Sequence, residues 1–295
     1  MPVRTELAMG TLVTMRVLAA DSDAPAAMDR AFAWFREIEG VCTRFDAASE
    51  LRRATERSGV AVPVSPILFE AVRFALLVAE MSGGAFDPTV GRRMEARGFN
   101  REYRSGEVMR SGESGEASWR DVELDVEGRT ILLHRPLTLD LGAVAKGLAV
   151  DAAARELAPF RNFAIDAGGD LYLGGCNDHG ERWTVGIRHP RSEDGLIASV
   201  QVSDQAVCTS GDYERTGAVK GEHHILDPRT GTSPRQAVSV TVVAAGVMLA
   251  DALATAAFVL GPEEGVELLE REGVEGLIVT PKLEEFRTGA FQHAA

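Results

Sequence analysis

Three short stretches between Thr209 and Thr255 carry the side chains with most capacity for chemistry. Thr209-Ser210-Gly211-Asp212-Tyr213 reads as a small polar turn in which Gly211 takes φ > 0 and lets the backbone approach a ligand. His223-His224-Ile225-Leu226-Asp227-Pro228-Arg229-Thr230-Gly231 reads as a strand ending on a His pair, a sharp turn at Asp-Pro and a glycine closing the loop. The apolar run from Ala244 to Leu260 places Asp251 and Thr255 on one helical face, four residues apart. A carboxylate and a hydroxyl on one face are hard oxygen ligands of the kind Mg²⁺ takes, with water, backbone carbonyls and substrate phosphate completing the shell. Each stretch also has a plain structural reading. An Asp in an Ala-rich helix commonly makes a buried hydrogen bond, and Asp-Pro-x-Thr-Gly alone is turn chemistry.

Helices and strands must bring these stretches together. Ala24 to Val41 has an apolar stripe of Ala31, Phe32, Phe35, Ile38 and Val41, which predicts a core-packing helix. Ser65 to Met81 predicts a second, N-capped by Ser65 with Pro66 at its first position. Leu137 to Gly147 runs from a strand into a helix ending near Pro159. Its glycine spacing is neither Gly-x-Gly-x-x-Gly nor a Walker A loop, yet helix-start amides beside Lys146 suit a diphosphate. Pro262 to Arg271 predicts a last helix. Strands are predicted at Leu12–Leu18, Val122–Asp125, Thr130–His134, Asn162–Leu173, Trp183–Ile187, Ile197–Val202, Ala206–Thr209 and Gly276–Thr280. Residues 97–120 read as a solvated, mobile loop centred on Ser111-Gly112-Glu113-Ser114-Gly115-Glu116. Many short strands among several helices, without regular alternation, predict an α+β fold with mostly antiparallel sheets and flanking helices.

Bulk properties exclude some classes. The chain has 295 residues, 45% hydrophobic, with 31 Lys plus Arg against 44 Asp plus Glu, a formal charge of −13. That balance disfavours nucleic acid, whose binding needs basic surface to displace counterions. Cys42, Cys176 and Cys208 are odd in number and widely spaced, which supports neither a disulfide framework nor a zinc site. Cys208 reads as a small buried hydrophobe. No run approaches the roughly 20 apolar residues of a membrane span, and Met1 to Leu18 lacks a signal-peptide pattern, so the expected location is cytoplasmic.

The His223–Gly231 string followed by Ala250-Asp251-Ala252-Leu253-Ala254-Thr255 closely resembles the ApbE family, the FAD:protein FMN transferases. Further motifs agree: Met9-Gly10-Thr11, Phe45 with Ser49-Glu50-Leu51, Gly84-Ala85-Phe86-Asp87-Pro88-Thr89-Val90-Gly91, Asp140-Leu141-Gly142-Ala143-Val144-Ala145-Lys146-Gly147 and Asp166-Ala167-Gly168-Gly169-Asp170. Phe45 stands where many members have Tyr, which removes a hydroxyl and keeps an aromatic face. Asp166 stands where many have Asn, and Ala54 lies near another common Asn.

The resemblance implies one T-fold-like ApbE domain over residues 1–295, built of two interleaved subdomains with the flavin between them. It implies Mg²⁺-dependent transfer of FMN from FAD to a Thr or Ser hydroxyl of an acceptor protein, with release of AMP. Asp251, Thr255 and the Ala143 carbonyl would hold the metal, and His224 would be the base, with His223 the weaker choice. Met9, Phe45, Glu50, Phe86, Asp87, Lys146, Asp170, Ser210 and Gly211 would line the nucleotide. Two alternatives stay open: an Mg²⁺-dependent FAD pyrophosphatase giving FMN and AMP, and a non-catalytic FAD-binding protein.

Overall fold

The structure, a computed structural model, describes residues 1–19, 21–110, 116–214, 222–289 and 291. The chain opens with the hairpin β1 (Val3–Ala8) and β2 (Thr11–Val17), then α1 (Ala24–Cys42) and α2 (Glu50–Thr55). There follow β3 (Val62–Pro63), α3 (Pro66–Met81), α4 (Gly91–Ala96), β4 (Val122–Asp125), β5 (Thr130–Leu133) and α5 (Gly142–Leu157). Two more hairpins come next, β6 (Phe163–Ala167) with β7 (Asp170–Gly174), and β8 (Trp183–Arg188) with β9 (Leu196–Val202). The last part comprises β10 (Gln205–Gly211), β11 (Ser239–Ala244), α6 (Val247–Leu260), α7 (Pro262–Arg271), β12 (Glu275–Val279) and β13 (Glu285–Arg287).

An eight-stranded sheet in the order β1-β2-β6-β7-β10-β11-β12-β13 forms the frame, beside a three-stranded sheet β3-β5-β4 and the two-stranded β8-β9. The named strand pairs are antiparallel, so the α+β expectation holds. One face of the large sheet buries Val13, Met15, Ile165, Cys208, Val240 and Val242 against Phe32, Phe35, Val150, Leu253 and Phe258 of the helices. The opposite face buries Leu173, Val207, Val243 and Leu277 under Ile187, Val200 and Val202 of the β8–β9 hairpin. Among the described residues no helix is long and apolar enough to cross a membrane.

Local chemistry explains several element ends. Ser65 accepts from the Leu68 amide with Pro66 opening α3, as its sequence predicts. The strands predicted at 122–125 and 130–134 form as β4 and β5 and pair antiparallel, the second ending one residue early at Leu133.

Four expectations need correcting. The strand predicted at Leu12–Leu18 forms as β2, which begins at Thr11, but it is not the first strand of the chain. Met9 (φ 51°) and Gly10 (φ 77°) are the two-residue turn between β2 and an unforeseen β1, the left-handed pair that a tight hairpin of matching twist requires. Residues 162–173 are not one strand, because Gly168 (φ 67°) and Gly169 (φ 94°) turn the chain back into β7. Thr209-Ser210-Gly211 is not a turn. Ladder pairing of Ser210 with Val240 and Gly211 with Ser239 keeps it in β10, and Gly211 has no left-handed φ. The His pair ends no strand either: its segment is held by an isolated Asp227–Thr232 bridge, with Gly231 (φ 67°) closing the turn as expected.

In the predicted 97–120 loop, Arg101 bridges Val108, and Tyr103 and Arg104 both bond Glu39 of α1. Ser111 to Gly115 lie outside the described residues.

Helix α5 packs closely against α6 at Gly147. A Cβ on Gly147 would stand 2.4 Å from the Met248 Cα and 2.6 Å from its N, so no side chain fits between the two backbones. Gly147→Val must push the helices apart and is expected to lower stability by about 2 kcal/mol, the usual scale of overpacking. Urea unfolding measures this as a lower midpoint at unchanged slope.

Candidate functional site

The turns of the β1–β2 and β6–β7 hairpins lie side by side, so close that a Cβ on Gly168 would meet the Thr11 Oγ1 at 2.1 Å. They border a cleft of about 1080 Å³, at the upper end of small-molecule sites and roomy enough for a dinucleotide. Met9, Phe45, Phe86, Asp87, Ala143, Lys146, Asp170, Ser210, Gly211, His224, Asp251 and Thr255 all line it. Residues from separate hairpins, helices and loops thus converge on one space.

Glu50 is the exception. It is not among the lining residues, and its carboxylate accepts from the Ser65 amide at 2.7 Å and the Ser65 hydroxyl at 2.5 Å. Glu50 therefore ties α2 to the start of α3 and drops out of the nucleotide set.

In one part of the cleft two carboxylates share a single ammonium. Asp251, on α6, lies 3.1 Å from the Lys146 Nζ of α5, and Asp170, at the start of β7, closes on the same ammonium. Thr255, one turn beyond Asp251, sits with its Oγ1 3.4 Å from the Ser210 Oγ. Asp170 and Asp251 are largely buried, at 5% and 9% exposure. Two buried carboxylates need a positive partner, and in this arrangement the lysine supplies it. Among the described residues no group of three or more His, Cys, Asp or Glu side chains could hold a metal. The side-chain oxygens here are carboxylate and hydroxyl, with Ala143 in the same lining. That is the composition that suits Mg²⁺, which keeps water and substrate phosphate in its shell rather than a protein cage.

The opposite walls are more apolar. Phe45 stacks over the guanidinium of Arg44 at 4.3 Å. Arg44 itself is buried and bonds the Asp140 Oδ2 at 2.7 Å and the Phe99 carbonyl. The other oxygen of Asp140 accepts from the Gly142 amide at 2.9 Å, at the first turn of α5. One buried arginine thereby connects the aromatic wall to the helix carrying Ala143 and Lys146. Asp87 lines the cleft, but its carboxylate faces its own loop, accepting from the Thr89 amide and hydroxyl at 2.8 and 2.7 Å and from the Trp119 amide at 3.1 Å. Burial pushes its carboxyl above the usual range, against the pull of those bonds. Its part is to shape the turn that presents Phe86.

The two histidines differ in environment. His224 lines the cleft. His223 is buried at 4% exposure, its amide donating to the Ser233 Oγ and its Nε2 lying 3.1 Å from the Pro234 carbonyl. Its ring meets Phe258 of α6 edge-on at 5.5 Å, which fixes the His224 loop against the helix of Asp251 and Thr255. Cys208 is fully buried and its thiol is raised well above the ordinary range by desolvation, so the hydrophobe reading stands.

Residues that sequence reasoning missed include Arg44, Asp140, Gly147 and Asp151. Only Gly147 left a signal, since a glycine inside an otherwise helical run usually marks a packing contact. Asp151, on α5, accepts from the Val247 amide at 2.7 Å and the Met248 amide at 3.1 Å, at the start of α6.

Burial lowers the His223 pKa below its ordinary value, so the fold holds the ring neutral while the unfolded chain protonates below about pH 6.5. The unfolded state then binds more protons, and stability falls as pH drops through that value towards the lowered folded-state pKa. His223→Gln removes this titration. Thermal unfolding across pH 8 to 5 is expected to show the wild-type advantage over the variant shrinking on acidification.

A model of the ApbE family matches residues 9–278. The chain is 36% identical over 242 residues to the FAD:protein FMN transferase of Rhodobacter capsulatus, a match covering 78% of this chain and 45% of that protein. It therefore spans less than half the length of that relative. It is 33% identical over 306 residues to the FAD:protein FMN transferase of Treponema pallidum (strain Nichols), covering 94% and 84% respectively. Among solved structures, the ApbE protein of Thermotoga maritima superposes with a TM-score of 0.88 at 30% identity, over 98% of this chain and 97% of that one. The flavin transferase ApbE of Vibrio cholerae gives 0.84 at 26% identity, over 98% and 97%. The matched span runs from the Met9 turn through Lys146, Asp170 and Asp251 of the cleft into β12, and on that ground this chain belongs to the ApbE family.

Proposed function

We propose that this protein transfers FMN from FAD to a Thr or Ser hydroxyl of an acceptor protein, with Mg²⁺ bound, and releases AMP. The observation that carries the reading is the meeting of Asp170 and Asp251 on one ammonium in a dinucleotide-sized cleft, with Thr255 and His224 in the same lining. The names of the relatives in R. capsulatus and T. pallidum support it.

The acceptor oxygen attacks the phosphorus on the FMN side of the FAD diphosphate. A new P–O bond forms to the Thr or Ser, the P–O bond to the AMP moiety breaks, and AMP leaves with both electrons of that bond. Such transfers depend on positioning and on charge stabilisation more than on covalent chemistry by the protein. A Mg²⁺ held by Asp251, Thr255 and the Ala143 carbonyl would supply Lewis-acid neutralisation of the diphosphate. His224 takes the proton of the attacking hydroxyl, for which an imidazole titrating near neutrality is suited. Lys146 balances charge on the phosphates, within reach of both carboxylates. Phe45 and Phe86 offer aromatic faces to the ring systems, and the inward Asp87 keeps the Phe86 turn in shape.

The test incubates FAD, Mg²⁺ and a Thr-bearing acceptor domain. AMP and an acceptor heavier by one FMN moiety, read by intact mass, should appear in equal amounts. Asp251→Ala should abolish both, and His224→Ala should slow both by roughly 10²- to 10⁴-fold, the usual range for a lost general base. AMP formed equally fast without acceptor would replace the transferase reading by hydrolysis of FAD. Unimpaired Asp251→Ala would remove the metal role.

A further inference from the structure

Helix α6 carries Asp251 and Thr255, the paired ligands of the proposed cation site, but lacks a cap of its own. Its N-cap is Gly246, with no side chain to accept from the first amides, which a helix otherwise leaves unsatisfied. The acceptor comes from another helix. Asp151 of α5 takes the Val247 amide at 2.7 Å with one oxygen and the Met248 amide at 3.1 Å with the other. A carboxylate there also complements the positive end of the helix dipole.

The register of this contact gives it consequence. Val247, Asp251 and Thr255 form one stripe at four-residue spacing on α6, so the amide gripped by Asp151 lies one turn before Asp251 and two before Thr255. On α5, Gly147 lies one turn before Asp151 and one turn after Ala143, directly beside Lys146. At Gly147 the α6 backbone leaves no room for a side chain. Contact at Gly147 sets the distance between the helices. The two hydrogen bonds to Asp151 fix how far α6 slides along its axis and how it turns about it.

We propose that Asp151 is the positioning residue of this cation site: by capping α6 from α5, it holds Asp251 and Thr255 in register with the Ala143 carbonyl and Lys146. This inference rests on the metal-dependent reading above. A local cap from residue 246 would satisfy the same amides but leave α6 free to shift against α5. Capping and positioning can therefore be separated by experiment.

Gly246 has φ −146° and ψ 154°, an extended conformation open to any residue and typical of a helix N-cap. The nearest atoms to a Cβ there are those of the Asp151 carboxylate, at 3.1 Å, an obstacle that Asp151→Ala removes. Three proteins are compared: wild type, Asp151→Ala, and Asp151→Ala with Gly246→Ser. Each is measured for Mn²⁺ affinity by calorimetry without FAD, and for Tm. Asp151→Ala should lower Tm and weaken Mn²⁺ binding by about 10- to 100-fold, the range for losing a group that orients metal ligands. Adding Gly246→Ser should recover Tm and leave the weak affinity unchanged. Recovery of affinity together with Tm would reduce Asp151 to an ordinary cap and overturn the proposal, as would wild-type affinity in Asp151→Ala. A wild-type chain that binds no Mn²⁺ would instead overturn the metal-dependent reading, and this inference with it.

Discussion

The contact of α5 with α6 is the constraint on which the rest of the site depends. Ala143 and Lys146 belong to one helix, Asp251 and Thr255 to the other, and close packing of the two brings the ammonium onto Asp251. Two features permit this. Gly147 has no side chain to separate the helices, and Asp151 satisfies amides that the apolar α6 cannot satisfy itself. The packing works against isolated helix propensity, since an interior glycine costs roughly 1 kcal/mol relative to Ala. That cost is offset by the burial of Val247, Ala250 and Leu253, which the close approach makes possible.

The sheet supplies the other half of the site through its turns rather than its strands. Left-handed backbone at Met9-Gly10 and at Gly168-Gly169 places two hairpin ends beside each other at the cleft. Met9 takes this conformation without the freedom of glycine, an uncommon state for a long apolar side chain. Asp170 follows directly after the second turn, so that turn sets the position of one carboxylate. His223, packed on Phe258, attaches the segment carrying His224 to the same helix that carries Asp251. The His224 segment, Asp251 and Thr255 thus share α6 as their common support.

What was legible in the sequence was whatever local rules decide. Ser65-Pro66 announces α3, and the long apolar run announces α6 together with the shared face of Asp251 and Thr255. The motif strings located all but one of the predicted site residues in the lining, Glu50 excepted, because each string is short and contiguous. Long-range pairing was not legible. Thr209-Ser210-Gly211 has turn-like residues, yet the ladder with β11 overrides that preference. Glu50 matched a family string, but its carboxylate is committed to Ser65, fifteen residues on, a partner no local pattern reveals. Arg44 and Asp151 escaped for the same reason. Each acts through a segment about a hundred residues away, Arg44 on Asp140 and Asp151 on the start of α6.

In the proposed reaction Asp251, Thr255 and the Ala143 carbonyl would form a single hard-cation site at the diphosphate end of the cleft. Anomalous difference density from crystals grown with Mn²⁺ and FAD tests it most directly. The account predicts a peak bonded to an Asp251 carboxylate oxygen, the Thr255 hydroxyl and the Ala143 carbonyl, with a diphosphate oxygen completing the contact. A peak elsewhere in the cleft, or bound FAD with no peak between α5 and α6, would contradict it.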